Sequence, residues 1–134
     1  MKPATDAISA LISNGIHVVG AAGNTGVDSC TTSPGAASSV GAITVASINW
    51  QDKMSSFSGW GKCVDLFAAG EQIQSVGIRS YVDSAVMSGT SMSSPQVAGV
   101  NIIIFIFPLM TQLKCYFKIE ILNDVSCIYF VSKI

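Results

Sequence analysis

The sequence predicts an α/β fold in which a parallel sheet is flanked by helices, and three observations carry that expectation. Ala4 to Ser13 places Ala7, Ile8, Leu11 and Ile12 at helical spacing. The apolar run Ile16 to Ala21 follows after only Asn14-Gly15, and the small-residue run Gly89 to Gly99 reads as a helix opened by hydroxyl side chains. A helix, a two-residue turn and an apolar strand make half of a βαβ unit, which belongs to sheets covered on both faces.

Each element follows in chain order. Asn14-Gly15 stops the first helix, because glycine adopts the left-handed conformation that ends one. Ile16 to Ala21 is expected as a buried strand and contains His17, the only histidine of the chain. Gly20, Gly23 and Gly26 suggest a nucleotide-binding turn, but their spacing is G-x-x-G-x-x-G and Asp28 to Gly35 is turn chemistry with no helix to meet a pyrophosphate. Ala42 to Ile48 is expected as a second strand, Lys53 to Lys62 as a polar loop, and Cys63 to Ala68 as a third strand. The alternation Ile73, Val76, Ile78, Tyr81 within Gln72 to Asp83 fits edge strands around a turn at Gly77, and Tyr81 to Met87 delivers the chain into the second helix.

The 134 residues make one domain at most. A net charge of −1 with 11% charged residues offers no basic patch, so no nucleic-acid partner is expected. Met1 to Asp6 lacks the apolar core of a signal peptide. The composition changes at Asn101: residues 101–134 hold no Gly and no Ala, although all 12 glycines lie before them. Ile102 to Phe107 is bulky on every face, and Pro108 ends it, far short of the roughly 20 residues of a membrane span. Residues 101–134 therefore read as a divergent hydrophobic tail, with a membrane-associated segment as the second reading.

The chemistry concentrates in Gly89-Thr90-Ser91-Met92-Ser93-Ser94-Pro95-Gln96-Val97-Ala98-Gly99. Ser91 is placed on the first turn of a helix, where free N–H groups stabilise negative charge, and Pro95 near that turn, where its missing N–H costs least. This block resembles the nucleophile motif G-T-S-M-x-x-P-H-V-A-G of the subtilisin-like serine peptidases, departing from it at Gln96. Val18-Val19-Gly20-Ala21-Ala22-Gly23-Asn24 resembles that family's strand ending in A-A-G-N. Ser55-Ser56-Phe57-Ser58-Gly59-Trp60-Gly61, followed by Val64-Asp65-Leu66-Phe67-Ala68-Ala69-Gly70, is similar to the run between them.

The resemblance covers residues 6 to 100 and points to the proteinase K-like branch. It implies that residues 1–100 are the C-terminal part of a peptidase domain of three layers, truncated on its N-terminal side. By the same resemblance Ser91 is the nucleophile and Asn24 the side-chain donor of the oxyanion hole. Ala21, Ala22 and Gly23 line a substrate pocket, and Cys30 and Cys63 form a disulfide. Gln96 replaces a packing histidine, and the triad histidine belongs to an upstream helix, so His17 is expected to have no catalytic role. No cofactor is expected; calcium in a full domain rests on Asp65 alone, whereas calcium needs six to eight oxygens. The implied activity is serine-type endopeptidase acting on protein or peptide substrates, with a secreted, monomeric parent. The family's D-T-G and H-G-T-H motifs do not occur in these residues, so the chain alone is expected to be inactive, the alternative being a pseudopeptidase that at most binds peptides.

Overall fold

A computed structural model describes residues 2–106, and the sequence readings that fall on residues 107–134 lie outside it. The first compact unit is Met1–Gly99, and a second runs from Val100 onward. The elements are α1 (Lys2–Ser13), β1 (Val19–Ala21), β2 (Ile43–Ile48), β3 (Leu66–Ala69), β4 (Ile73–Val76), β5 (Ser84–Met87) and α2 (Thr90–Ile106), with short 3-10 turns at Ser29–Thr31 and Gly35–Val40.

The expected parallel sheet is present, in the order β1-β2-β3. Val19 lies opposite Ile43, and Val45 to Ile48 lie opposite Leu66 to Ala69. β2 is the central strand, and Thr44 to Ser47 are all buried. The core around it is made of small and hydroxyl-bearing residues: Ala22, Ala37, Ala42, Val45, Ala46 and Val97, together with Ser29, Thr44, Ser47, Ser55, Ser58, Thr90 and Ser93. Buried hydroxyls need partners. Thr44 Oγ1 donates to Gly35 O, Ser29 Oγ to Ala22 O, and Ser47 Oγ shares a 2.7 Å hydrogen bond with Ser55 Oγ.

The helix stop is a Schellman cap: Gly15 N–H bonds Ile12 O, Ile16 N–H bonds Leu11 O, and Gly15 takes φ +78°. That cap also shortens the next strand. Ile16 has spent its N–H on the helix and stands 51% exposed, so the strand expected from Ile16 begins at Val19. His17 accordingly lies in the α1–β1 connection and not in a strand.

The third strand is likewise shorter than Cys63 to Ala68. Asp65 N–H bonds Thr44 O while its carboxylate accepts Thr44 N–H at 2.7 Å, so a side chain occupies the place of a ladder carbonyl until pairing begins at Leu66. The hairpin differs more. Its strands are β4 and β5, and residues 77–83 form a wide turn closed by Gly77 N–H to Asp83 O. Ile78 and Tyr81, expected in strands, are fully exposed on that turn. The Asp83 carboxylate organises it by accepting from Arg79 N, Nε and Nη2.

Candidate active site

All three strands of the parallel sheet end at one edge, and the N-terminus of α2 is brought to that edge. Gly89 N–H bonds Gly70 O just beyond β3, and Gln96 Nε2 donates to Ala69 O and Met92 O at 2.8 and 3.0 Å. On the other side Asn24, three residues past β1, accepts Thr90 N–H and Thr90 Oγ1–H at its Oδ1, both at 2.8 Å. Thr90 Oγ1 in turn accepts Gly23 N–H at 3.3 Å. Ser91 is the second residue of α2 and is exposed, while Gly89 and Thr90 beside it are buried.

This network fixes the orientation of the Asn24 amide. A backbone N–H can only donate, so the atom facing Thr90 is Oδ1, and Nδ2 remains as the donor. Nδ2 points past Gly89, where an added Cβ would stand 3.2 Å from it and 3.7 Å from Met92 S. The Ser91 N–H is among the first four of the helix, which have no intrahelical carbonyl. A hydroxyl, a free amide donor and a helix N-terminus thus share one place, an arrangement that favours a developing oxyanion.

Pro95 is the sixth residue of α2, in the turn that follows the first. It therefore removes the N–H that would have bonded the Ser91 carbonyl. Gln96 is more than packing. One amide nitrogen donates both of its protons, tying the second turn of the helix to the end of β3, which a single nitrogen of an imidazole cannot do.

Of the three residues expected to line a pocket, one is internal. Ala22 is fully buried, its N–H bonds Val45 O, and its carbonyl accepts from Ser29 Oγ; the Gly23 carbonyl accepts Gly59 N–H at 2.8 Å. Ala21 and Gly23 are half-buried. Cys30 and Cys63 form a disulfide with Cα atoms 5.2 Å apart. Asp65 is occupied by Thr44 N and by Ser38 Oγ at 3.3 Å. Among the described residues no group of three or more His, Cys, Asp or Glu could hold a metal. One carboxylate already committed to Thr44 and Ser38 does not fit a calcium ligand set.

His17 lies before β1 and Asn24 after it. At roughly 3.3 Å per extended residue the three residues of β1 alone span about 10 Å, so the one imidazole of the sequence precedes the strand while Asn24 and Thr90, beside Ser91, meet past its other end. Thr90, which sequence reasoning passed over, anchors the site; its signal was a hydroxyl at the first helical position beside the nucleophile.

The model of the subtilase family matches residues 1–106. The chain is 50% identical to cerevisin of Saccharomyces cerevisiae over 74% of its own length and 15% of that protein. It is 48% identical to the subtilisin-like serine protease Rho m 2.0101 of Rhodotorula mucilaginosa, over 74% of the chain and 29% of that protein. A solved cold-adapted subtilisin-like serine proteinase superposes with a TM-score of 0.66 at 39% identity, covering 80% of this chain and 36% of that one. The chain thus spans less than a third of the length of these curated relatives.

Proposed function

Since the chain belongs to the subtilase family, we propose that it carries the nucleophile and oxyanion-binding part of a serine endopeptidase site. The observation that supports this most is the pair of 2.8 Å hydrogen bonds that seat Asn24 against Thr90, next to Ser91. Ser91 Oγ attacks the carbonyl of a peptide substrate as a general base takes its proton. The tetrahedral oxygen is held by Asn24 Nδ2 and the Ser91 N–H. Collapse expels the amine, which receives the proton back, and water then hydrolyses the acyl-enzyme in the reverse sense.

The base is the missing participant. A serine hydroxyl without a base in hydrogen-bond reach is a weak nucleophile at neutral pH, and His17 stands at the far end of β1. These 134 residues alone are therefore inactive, and turnover requires a histidine and an aspartate from outside them. That placement of His17 also keeps the second reading, a pseudopeptidase that at most binds peptides. The disulfide supports an oxidising, extracellular setting for the parent.

A labelled fluorophosphonate with a peptide-hydrolysis assay tests the proposal. The 134-residue chain should show neither labelling nor hydrolysis, whereas a longer product carrying the upstream motifs should show both and lose them on Ser91→Ala. Hydrolysis by the short chain, abolished by both Ser91→Ala and His17→Ala, would refute it.

A further inference from the structure

We infer that Trp60 is a positioning residue for Asn24, acting through the carbonyl of Gly26. The inference rests on the reading of Asn24 as an oxyanion donor. Thr90 holds the side-chain end of Asn24, but its backbone lies in the exposed segment 24–27. Gly23 precedes that segment and Gly26 lies within it, with φ of +102° and +64°. Two glycines in the left-handed region restrain the chain little, so the order of the segment comes from what it is tied to.

That support is the segment Phe57 to Trp60. Gly59 N–H bonds Gly23 O at 2.8 Å, Gly26 N–H bonds Phe57 O at 2.9 Å, Trp60 N–H bonds Val27 O at 3.2 Å, and Ser29 N–H bonds Trp60 O at 2.8 Å. These bonds join two loop segments that share a single parallel bridge, at Asp28 and Trp60, and no ladder. The Trp60 indole adds the side-chain strap, donating Nε1–H to Gly26 O at 2.9 Å across 34 residues of sequence. Gly26 is thereby held at both its N–H and its C=O. The Cys30–Cys63 disulfide joins the two segments just beyond them. Asn24 thus sits between two anchors, Thr90 on its amide and Trp60 two residues along its backbone.

The test uses the isotope-labelled, oxidised 134-residue chain with Trp60→Phe and with 3-benzothienylalanine at position 60, which keeps the shape of the indole but has no N–H. Nuclear magnetic resonance follows Gly26 amide exchange, the two Asn24 side-chain N–H signals and, as a control, the amide of buried Ala46. In both variants Gly26 should exchange roughly three- to tenfold faster, the scale of one hydrogen bond. The Asn24 signals should move toward those of a free primary amide while Ala46 stays protected. If Trp60→Phe unfolds the chain, the benzothienyl form alone decides. Unchanged Asn24 signals in the benzothienyl form overturn the inference, whether or not Gly26 responds. The reading of Asn24 itself fails by a different result, Asn24→Ala leaving turnover of the assembled site intact.

Discussion

Ser93 and Ser55 are both fully buried serines near the centre of the fold, yet replacing each by alanine should have opposite effects on stability. Ser93 Oγ has no hydrogen-bond partner, enclosed where a Cβ on Gly70 would collide with it and with Ser47 Oγ. An unsatisfied buried hydroxyl costs about 1–3 kcal/mol. Deleting it leaves a void the size of one oxygen atom, worth roughly 0.3 kcal/mol at about 24 cal/mol per Å³. Ser93→Ala should therefore stabilise the chain by about 1–2 kcal/mol. Ser55 Oγ is instead the 2.7 Å partner of Ser47 Oγ. Removing it orphans Ser47, and Ser55→Ala should destabilise by about 1–3 kcal/mol. Urea unfolding of the oxidised chains, compared at equal m, reads both values. On a thermal scale each kcal/mol corresponds to roughly 4–8 °C for a unit of this size. Midpoints that shift in the same direction by similar amounts would refute the assignment of Ser93 as unpaired and Ser55 as paired.

The other predictions concern the crosslink, the hairpin and the site. Replacing Cys30 and Cys63 by serine opens a crosslink between residues 33 apart, which should lower stability by about 3–4 kcal/mol if chain entropy dominates; a urea midpoint insensitive to reductant would contradict this. The Arg79 guanidinium holds the Asp83 carboxyl below its ordinary value of 3.8. A depressed carboxylate pKa stabilises the fold above that ordinary value and loses the contribution as pH falls through the lowered one. A carbon-detected titration should show Asp83 ionising below 3.8, and Arg79→Ala or 1 M salt should bring it back up. Gly89→Ala places a methyl 3.2 Å from Asn24 Nδ2, so in a turnover-competent product it should lower kcat more than KM is raised; an unchanged kcat would place the oxyanion elsewhere.

What could be read from the residues divides along a physical line. Asn14-Gly15 was enough to foresee the end of α1, because a Schellman cap is built from adjacent residues. The central strand was equally readable, since Ala42 to Ile48 is rich in Ile, Val and Thr and pairs with β1 on one side and β3 on the other. The strands that came out short are those whose end groups are diverted: Ile16 N–H to the helix, and Thr44 N–H to the Asp65 side chain. Alternation misled at Ile78 and Tyr81, where the chain is closed into a wide turn by Asp83 and the strands expected around Gly77 do not extend. Periodicity reports which side chains could share a face, and says nothing about a carboxylate that outcompetes the ladder.

The site follows the same division. Ser91 and Asn24 stood out as parts of contiguous blocks, but the link between them is Thr90, which meets Asn24 across 66 residues of sequence. Three ties set the nucleophile against the sheet: Thr90 to Asn24 after β1, Gly89 to Gly70 after β3, and Gln96 to Ala69 at the end of β3. The first ends just past β1 and the other two at or just past the end of β3, the strands that flank β2 on either side. These ties set the helix of the nucleophile against the ends of the two outer strands, while the oxyanion donor itself sits on the exposed segment that follows β1 and depends on its own supports. This separates two kinds of perturbation. Changes in the buried serines of the core should move stability and leave the site geometry intact, whereas changes at Thr90, Gly89 or Trp60 cut a tie and should move the donor while the sheet remains folded.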